Sequence, residues 1–443
     1  MTSSKNSKLV ITVYLHTLGC PKNEWDSDLL LSGLRADGFI PADAASADII
    51  VVNTCAFIEE ARRESVEEIL RLADFKQKGA CRWLVVTGCL AERYRDSLPA
   101  LLPEVDAFVP LTAAEPLNIT LARLLGQETI PGRDLSCQRR NWASVGTGMA
   151  YLKISEGCSR ACAFCAIPGI RGTLASRPLP DILEEASWLK DMGARELVLV
   201  AQDTTCYGSD LYGAPALATL LRELCAQPGE FRLRLLYMQP EGIDDALLEA
   251  MRAPEVCRYL DLPLQHVSGD ILRAMGRPGS PTYFRDMLRR VREALPGVAL
   301  RTTLLVGFPG ETRSEFAELL EFVQEGHFDW LGVFGYSRED GTRAYSLGRG
   351  AGRKTVEARC EKIMDIQNEI MLERADQQVG RKLQVLVERH SDTLQGHMEG
   401  RSPRHAPDID GLVYVRGDME PGRFYEVEIT GTEGIDEVGR VAE

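Results

Sequence analysis

The sequence predicts an α/β fold in three parts: a parallel α/β domain over 8–125, a barrel-like parallel sheet over 147–375 and a small β-barrel over 376–443, with a connector at 126–146. Three observations predict it. Apolar, β-branched runs alternate with helical patterns through the first two parts, the pattern of repeated βα units. The last part changes to alternation of period two, broken by glycine turns. Between the first and second parts, Pro131-Gly132-Arg133-Asp134 and Gly146-Thr147-Gly148 are turn-forming sequences.

In the first part, Leu9-Val10-Ile11-Thr12-Val13-Tyr14-Leu15 reads as a buried strand that Gly19 and Pro21 end, before a helix over Trp25–Ala36. The run from Asp48 to Cys55 repeats the pattern and leads into a helix from about Ile58 to Ala73. Trp83 to Leu90 does so a third time. Each strand therefore runs out onto a cysteine: Cys20, Cys55 and Cys89. In a parallel sheet the carboxyl ends of the strands share one edge, where ligands bind, so the three thiols are expected to converge. The competing reading is three unrelated buried cysteines, a residue type commonly found in cores. Cys81 and Cys137 do not fit the pattern.

In the second part, strands are predicted at Tyr151–Ser155, Glu196–Ala201, Arg232–Tyr237, Tyr259–Leu262, Ala299–Val306 and Trp330–Tyr336. Helices are predicted at Leu179–Met192, Asp244–Ala253, Gly269–Met275, Pro281–Ala294 and Ser314–Glu325. Gln202, Asp203, Gln265, His266, Arg301 and Tyr336 stand at strand ends, where β/α barrels carry their active sites. His266 reads first as a hydrogen-bonded barrel residue and second as an acid or base. Cys206, Cys225, Cys257 and Cys360 read as packing. The third part has strands at Leu383–Glu388, Gly411–Val415 and Phe424–Thr430, which suggest a small closed barrel near the OB type.

The densest chemical signal is Glu156-Gly157-Cys158-Ser159-Arg160-Ala161-Cys162-Ala163-Phe164-Cys165. Three thiolates at spacings of four and three suit three irons of a cubane cluster, and no fourth cysteine follows before Cys206. One iron is then open to a small molecule. A zinc site would instead pair its cysteines with a second CxxC or with histidines and close at four ligands. Phe164 would shield the cluster from water.

This spacing resembles the signature of radical S-adenosylmethionine (SAM) enzymes. The resemblance implies that SAM chelates the open iron and is split into methionine and a deoxyadenosyl radical. Leu18-Gly19-Cys20-Pro21-Lys22-Asn23, Val52-Asn53-Thr54-Cys55-Ala56-Phe57-Ile58 and Val86-Thr87-Gly88-Cys89-Leu90 resemble the N-terminal domain of methylthiotransferases. That family implies two 4Fe–4S clusters, with Cys20, Cys55 and Cys89 holding the second, which carries the sulfur to be inserted. It also implies a partial six-stranded (β/α) barrel and a TRAM domain at the C-terminus. The stretch Thr303-Leu304-Leu305-Val306-Gly307-Phe308-Pro309-Gly310-Glu311-Thr312 resembles the one that passes SAM, with Gln202, Arg301, Gly307 and Gly310 as the implied SAM contacts.

Two subclasses compete. One modifies an adenosine next to the tRNA anticodon; the other modifies the β-carbon of an aspartate in a basic small-subunit ribosomal protein. Four stretches resemble the second: Leu18–Asn23, Gln202-Asp203-Thr204 with Tyr207-Gly208, Tyr259–His266, and Gly400-Arg401-Ser402 with Ala406-Pro407-Asp408-Ile409-Asp410-Gly411. Gln239-Pro240-Glu241-Gly242 and Pro403-Arg404-His405 depart from the usual pattern.

Composition bears on the partner. The chain is 44% hydrophobic and 26% charged, ordinary for a globular protein, and its formal net charge is −14. From residue 379 onward there are 8 Lys and Arg against 13 Asp and Glu, a net of −5. This disfavours a large phosphate-neutralising surface, so nucleic-acid binding is expected to be weak, and favours a basic protein partner. The alternative is a solvated acidic face with no partner. The polar first eight residues carry no secretory h-region, and no apolar run reaches the ~20 residues of a membrane helix. Twelve cysteines then point to a reducing, cytoplasmic compartment and to metal ligation. An external electron donor and a sulfur source are implied partners. A zinc-holding RNA adaptor and a radical enzyme that only methylates are the remaining alternatives; the second has no use for the N-terminal triad.

Overall fold

The computed structural model describes residues 11–112, 115–126 and 147–442. The connector reading and Cys137 lie outside these residues. The chain divides into two compact units: 1–143 with 169–171, and 144–168 with 172–443.

The first unit is built on a parallel five-stranded sheet: β1 (Thr12–Thr17), β2 (Ile40–Pro41), β3 (Ile49–Thr54), β4 (Trp83–Gly88) and β5 (Ala107–Val109), in the order β2-β1-β3-β4-β5. Strand β3 is buried along its whole length, as a central parallel strand covered on both faces should be. Leu34, Leu72, Leu90 and Leu121 are among the buried leucines of its helical elements. The sequence reading ends the first strand at Leu15 where β1 runs on to Thr17, its Leu9 and Val10 lie outside the described residues, and it misses β2 and β5. Both are short edge strands, β2 having no more than two residues and β5 three.

In the second unit, β6 (Met149–Lys153) leads to a two-stranded ribbon, β7 (Ser155–Glu156) with β8 (Ala175–Ser176). The barrel strands that follow are β9 (Glu196–Val200), β10 (Arg232–Leu235), β11 (Tyr259–Asp261), β12 (Ala299–Val306) and β13 (Trp330–Gly335). They form two parallel three-stranded sheets, β6-β9-β10 and β11-β12-β13. A parallel bridge from Leu233 to Val256, with Cys257 N–H donating to Leu233 O at 2.8 Å, joins them into six strands in sequence order. This is the expected partial barrel.

The small barrel closes through β14 (Lys382–His390), β15 (His397–Arg401), β16 (Val413–Arg416), β18 (Asp436–Val441) and β17 (Arg423–Glu433), in that spatial order. Val385, Val387, Met398, Val413, Val415, Val427 and Ile429 fill it. It packs at the amino-terminal end of the barrel strands. There Glu196 is fully buried and receives Arg232, Arg234 at 2.9 Å and Arg401 at 2.8 Å. Among the described residues, no helix is long and apolar enough to cross a membrane.

Candidate active site

In the first unit the thiols follow three adjacent parallel strands. Cys20 caps the helix Pro21–Ala36, Cys55 follows β3, and Cys89 opens a short helix directly after β4. Two glycines make the close approach possible. Gly19 has φ +96°, and a Cβ there would lie 2.7 Å from Cys55 Cβ. Gly88 has φ +90°, and a Cβ would lie 2.3 Å from Asn53 Oδ1 and 2.6 Å from Thr54 O. Both conformations are ones that residues with a Cβ rarely adopt.

Asn23, fully buried, fastens the loops. Its Nδ2 donates to Leu18 O at 2.7 Å and to Thr54 O at 3.0 Å. Ser65 Oγ donates to Cys55 O at 2.8 Å and accepts from Cys55 N–H at 3.1 Å. Arg171 enters with Nε 3.3 Å from Cys89 Sγ, and its Nη2 reaches Asn23 Oδ1 at 2.5 Å and Asp26 Oδ2 at 3.0 Å.

Burial pushes the Cys89 thiol up to about 11, against the pull of Arg171; neighbouring Cys55 and Cys20 also raise it. Burial raises Cys55 too, and Cys20 adds to that rise. Among the described residues, no three His, Cys, Asp or Glu side chains converge on a single ion. Three thiols that follow adjacent strands, with a buried arginine beside one of them, are a donor set of the kind a cluster with one open iron takes. Sequence reasoning missed Arg171, which lies far from the triad in sequence.

In the second unit, Cys158, Cys162 and Cys165 sit on the loop after β7. Gly157, at φ +69°, lets the loop pass the backbone: a Cβ there would lie 2.1 Å from Thr173 O. Cys158 N–H donates to Gly172 O at 3.0 Å, Ala163 N–H to Met275 O at 2.7 Å, and Ala344 N–H to Ala163 O at 2.7 Å. Phe164 packs with Ala163, Ile271, Met275, Phe308 and Ala344 beside the last cysteine. Burial pushes Cys165 up to about 12 and raises Cys158.

A charged network adjoins this loop. Arg160 pairs with Asp203 and, at 3.2 Å, with Glu241; Glu241 also faces Arg277 at 3.4 Å. Cys206 does not pack as read from sequence: its Sγ donates to Asp203 Oδ2 at 3.0 Å. Burial and the adjacent Asp203 push it up to about 12. Glu241, one of the departures from the usual pattern, is thus engaged by two arginines. Cys257 does lie in the barrel core.

Gln202 Nε2 donates to Glu156 Oε1 at 2.7 Å, while its buried Oε1 has no hydrogen-bond partner among the described residues. Tyr336 Oη and Gln239 Oε1 are likewise buried without one. Such orphaned polar atoms suit a polar ligand that completes them. Gly310, at φ +94°, opens on free space. Gly307, at φ +80°, is pressed against Val356 instead, and its N–H is taken by Glu311.

Arg301 shares the lumen-facing row of β12 with Thr303 and Leu305, but lies about 20 Å from Gly307 along the strand at ~3.3 Å per residue. Its guanidinium faces Asp261 at 3.1 Å and Asp410 at 3.4 Å. His266 is fully buried, accepts at Nδ1 from Ser268 N–H at 3.0 Å, and has Nε2 3.8 Å from Glu311. Tyr237 and Gln265, at strand ends, hold φ of +60° and +68°, strain of a kind that collects at functional sites.

The sequence matches three families: the uncharacterized protein family UPF0004 over residues 12–110, the radical SAM superfamily over 152–323 and the TRAM domain over 379–442. Among solved structures it is similar to the radical S-adenosylmethionine methyltransferase TsrM from Kitasatospora setae, with a TM-score of 0.54 and 17% identity, covering 76% of this chain and 77% of that one. At that identity the likeness shows the fold alone. A curated relative described as ribosomal protein uS12 methylthiotransferase RimO, from Anaeromyxobacter sp. (strain Fw109-5), is 46% identical over 97% of this chain and 93% of its own length. Another of that description, from Geobacter sulfurreducens, is 44% identical over 97% of this chain and 98% of its own.

Fold, domains and relatives together define a radical SAM methylthiotransferase, an enzyme whose class works with SAM and 4Fe–4S clusters. Within that class, the chain belongs to the ribosomal protein uS12 methylthiotransferase RimO family.

Proposed function

We propose that the chain adds a methylthio group to the β-carbon of an aspartate in ribosomal protein uS12. Cys158, Cys162 and Cys165 hold the cluster that binds SAM, and Cys20, Cys55 and Cys89 hold a second that carries the sulfur. When bound, the clusters and SAM supply the one-electron chemistry that an unactivated C–H bond requires, since it offers no acidic proton to a base. One observation carries transfer over plain methylation: three thiols at the carboxyl ends of three adjacent parallel strands, in a unit that methylation alone does not need.

The residues of this chain position the parts. Gly19, Gly88 and Gly157 let the cysteine loops approach neighbouring backbone. Phe164 keeps water from the last cysteine of its loop. Gln202 and the open side of Gly310 receive SAM, with Glu311 and His266 behind the turn holding its shape. Arg301, lower on β12, contacts SAM only if the molecule lies along the strand. The acidic small domain, net −5 from residue 379 onward, supports a basic protein as substrate. The enzyme works in the cytoplasm, where ribosomes are made, with an external electron donor and sulfur source.

The test is a competition. The chain, reconstituted anaerobically with iron and sulfide, receives SAM, a reductant, uS12 and a tRNA anticodon stem-loop together. Mass spectrometry is expected to find the methylthio group on the aspartate of uS12. Modification of the RNA would move the chain to the tRNA subclass and overturn the charge argument.

A further inference from the structure

We propose that Arg171 is a positioning residue for the second cluster, donating its Nε–H to the Cys89 sulfur and raising the reduction potential of the cluster that Cys20, Cys55 and Cys89 hold. The inference rests on the reading that this triad holds an iron–sulfur cluster.

The geometry is specific. The Arg171 side chain is 2% exposed. Its Nε lies 3.3 Å from Cys89 Sγ, an ordinary N–H···S distance. Its neighbouring Nη2 is pinned by Asp26 Oδ2 at 3.0 Å and by Asn23 Oδ1 at 2.5 Å. Asn23 is in turn anchored to the loops of the other two cysteines through Leu18 O and Thr54 O. In a planar guanidinium, an Nη2 held by two acceptors also sets the direction of the Nε–H beside it. It therefore points at sulfur by construction of the site, and the chain turns sharply away at Gly172, φ +75°.

The chemistry follows from charge. A cation buried beside a thiolate is better compensated than one beside a neutral thiol, so Arg171 favours Cys89 as a ligand. A hydrogen bond to a cysteinyl sulfur withdraws electron density from the cluster. A fixed positive charge nearby stabilises the more negative, reduced form. Both effects raise the potential. In the other triad the comparable contact, Arg277 to Cys162, is 3.9 Å, too long to act as strongly.

The experiment uses the full-length chain with Cys158, Cys162 and Cys165 all changed to Ala, so that iron and sulfide load the second triad alone. Redox titration followed by electron paramagnetic resonance then compares Arg171 with Arg171→Lys and Arg171→Gln. The expected result is unchanged iron and sulfide content with a lower midpoint potential in Arg171→Gln and an intermediate one in Arg171→Lys. Equal midpoints in all three overturn the proposal. Should Arg171→Gln fail to load, Arg171→Lys and Asp26→Asn carry the test, and an unchanged midpoint in both overturns it. If the background protein itself holds no cluster, the two-cluster reading fails first, which is seen before any Arg171 variant is made.

Discussion

Single residues decide whether the thiols can meet. Gly88 stands where a Cβ would collide with the Asn53 side chain and the Thr54 carbonyl, in a backbone region close to glycine-only. Backbone strain of this kind costs on the order of 1–3 kcal/mol, and the overlap adds a comparable amount. Gly88→Ala is therefore expected to lower the unfolding free energy by about 2–4 kcal/mol and to lose iron from the second triad while sparing the first. Thermal unfolding with iron analysis checks this; an unchanged melting temperature and full iron would contradict it. The cysteines and the glycines beside them were legible in the sequence because motifs record them directly. Arg171 was not, since only folding brings it to Cys89. Nor was the commitment of Gly307 to Val356, which depends on a helix far along the chain.

A titratable group in the small barrel gives a second test. Burial lifts the Glu437 carboxyl up to about 7, against the pull of Arg404. The folded state then binds this proton more tightly than the unfolded chain does. Its contribution to stability is full below an ordinary glutamate's 4.5 and is lost as pH rises towards 7. At ~1.4 kcal/mol per pH unit the loss is about 3 kcal/mol. Glu437→Gln is expected to flatten this part of the decline in the metal-free chain. Denaturant unfolding of both proteins between pH 5 and 7.5 checks it, and parallel curves would contradict it.

At the scale of elements, the strands and helices with strong periodicity were readable. The helices Gly269–Met275 and Pro281–Ala294 and the strand Ala299–Val306 fall where the sequence reading puts them. The longest helix, Arg353–Asp376, was missed: Ile363, Met364 and Met371 are spaced among many charged residues, and its apolar face is thin. Strands β15 and β18 were missed as well, because His397–Arg401 and Asp436–Val441 carry charge and glycine and pair only within the closed barrel.

What joins these elements is also partly ionic. Glu196 on β9 gathers Arg232, Arg234 and Arg401, all buried, and Arg232 and Arg234 donate on to the carbonyls of Arg401, Ser402 and Pro403. The surrounding arginines hold the Glu196 carboxyl well below the usual range despite its burial. Removing one partner of a buried ion pair leaves the others uncompensated, at a cost of about 3–5 kcal/mol. Glu196→Gln is expected to lose about that much in denaturant unfolding. A loss under ~1 kcal/mol would show that the cluster does not hold the small barrel to the β strands.

At the scale of the molecule, each unit carries its own triad of thiols. The first unit ends three parallel strands on thiols; the second carries a loop of three thiols at the mouth of a partial barrel, with orphaned polar atoms of Gln202 and Tyr336 nearby. Architecture and family were legible because the motifs span nearly the whole chain. The choice of substrate rests on the relatives and on net charge, since a substrate-binding face leaves no periodic trace in sequence.

The most direct test compares iron content and methylthio product on uS12 for Cys55→Ala and Cys158→Ala against the parent. Each variant is expected to keep one cluster's worth of iron, half that of the parent, and neither is expected to make the methylthio product. Cys55→Ala is expected still to cleave SAM, and Cys158→Ala not to. Full methylthio transfer by Cys55→Ala with a single cluster would contradict the assignment of a separate sulfur-carrying triad.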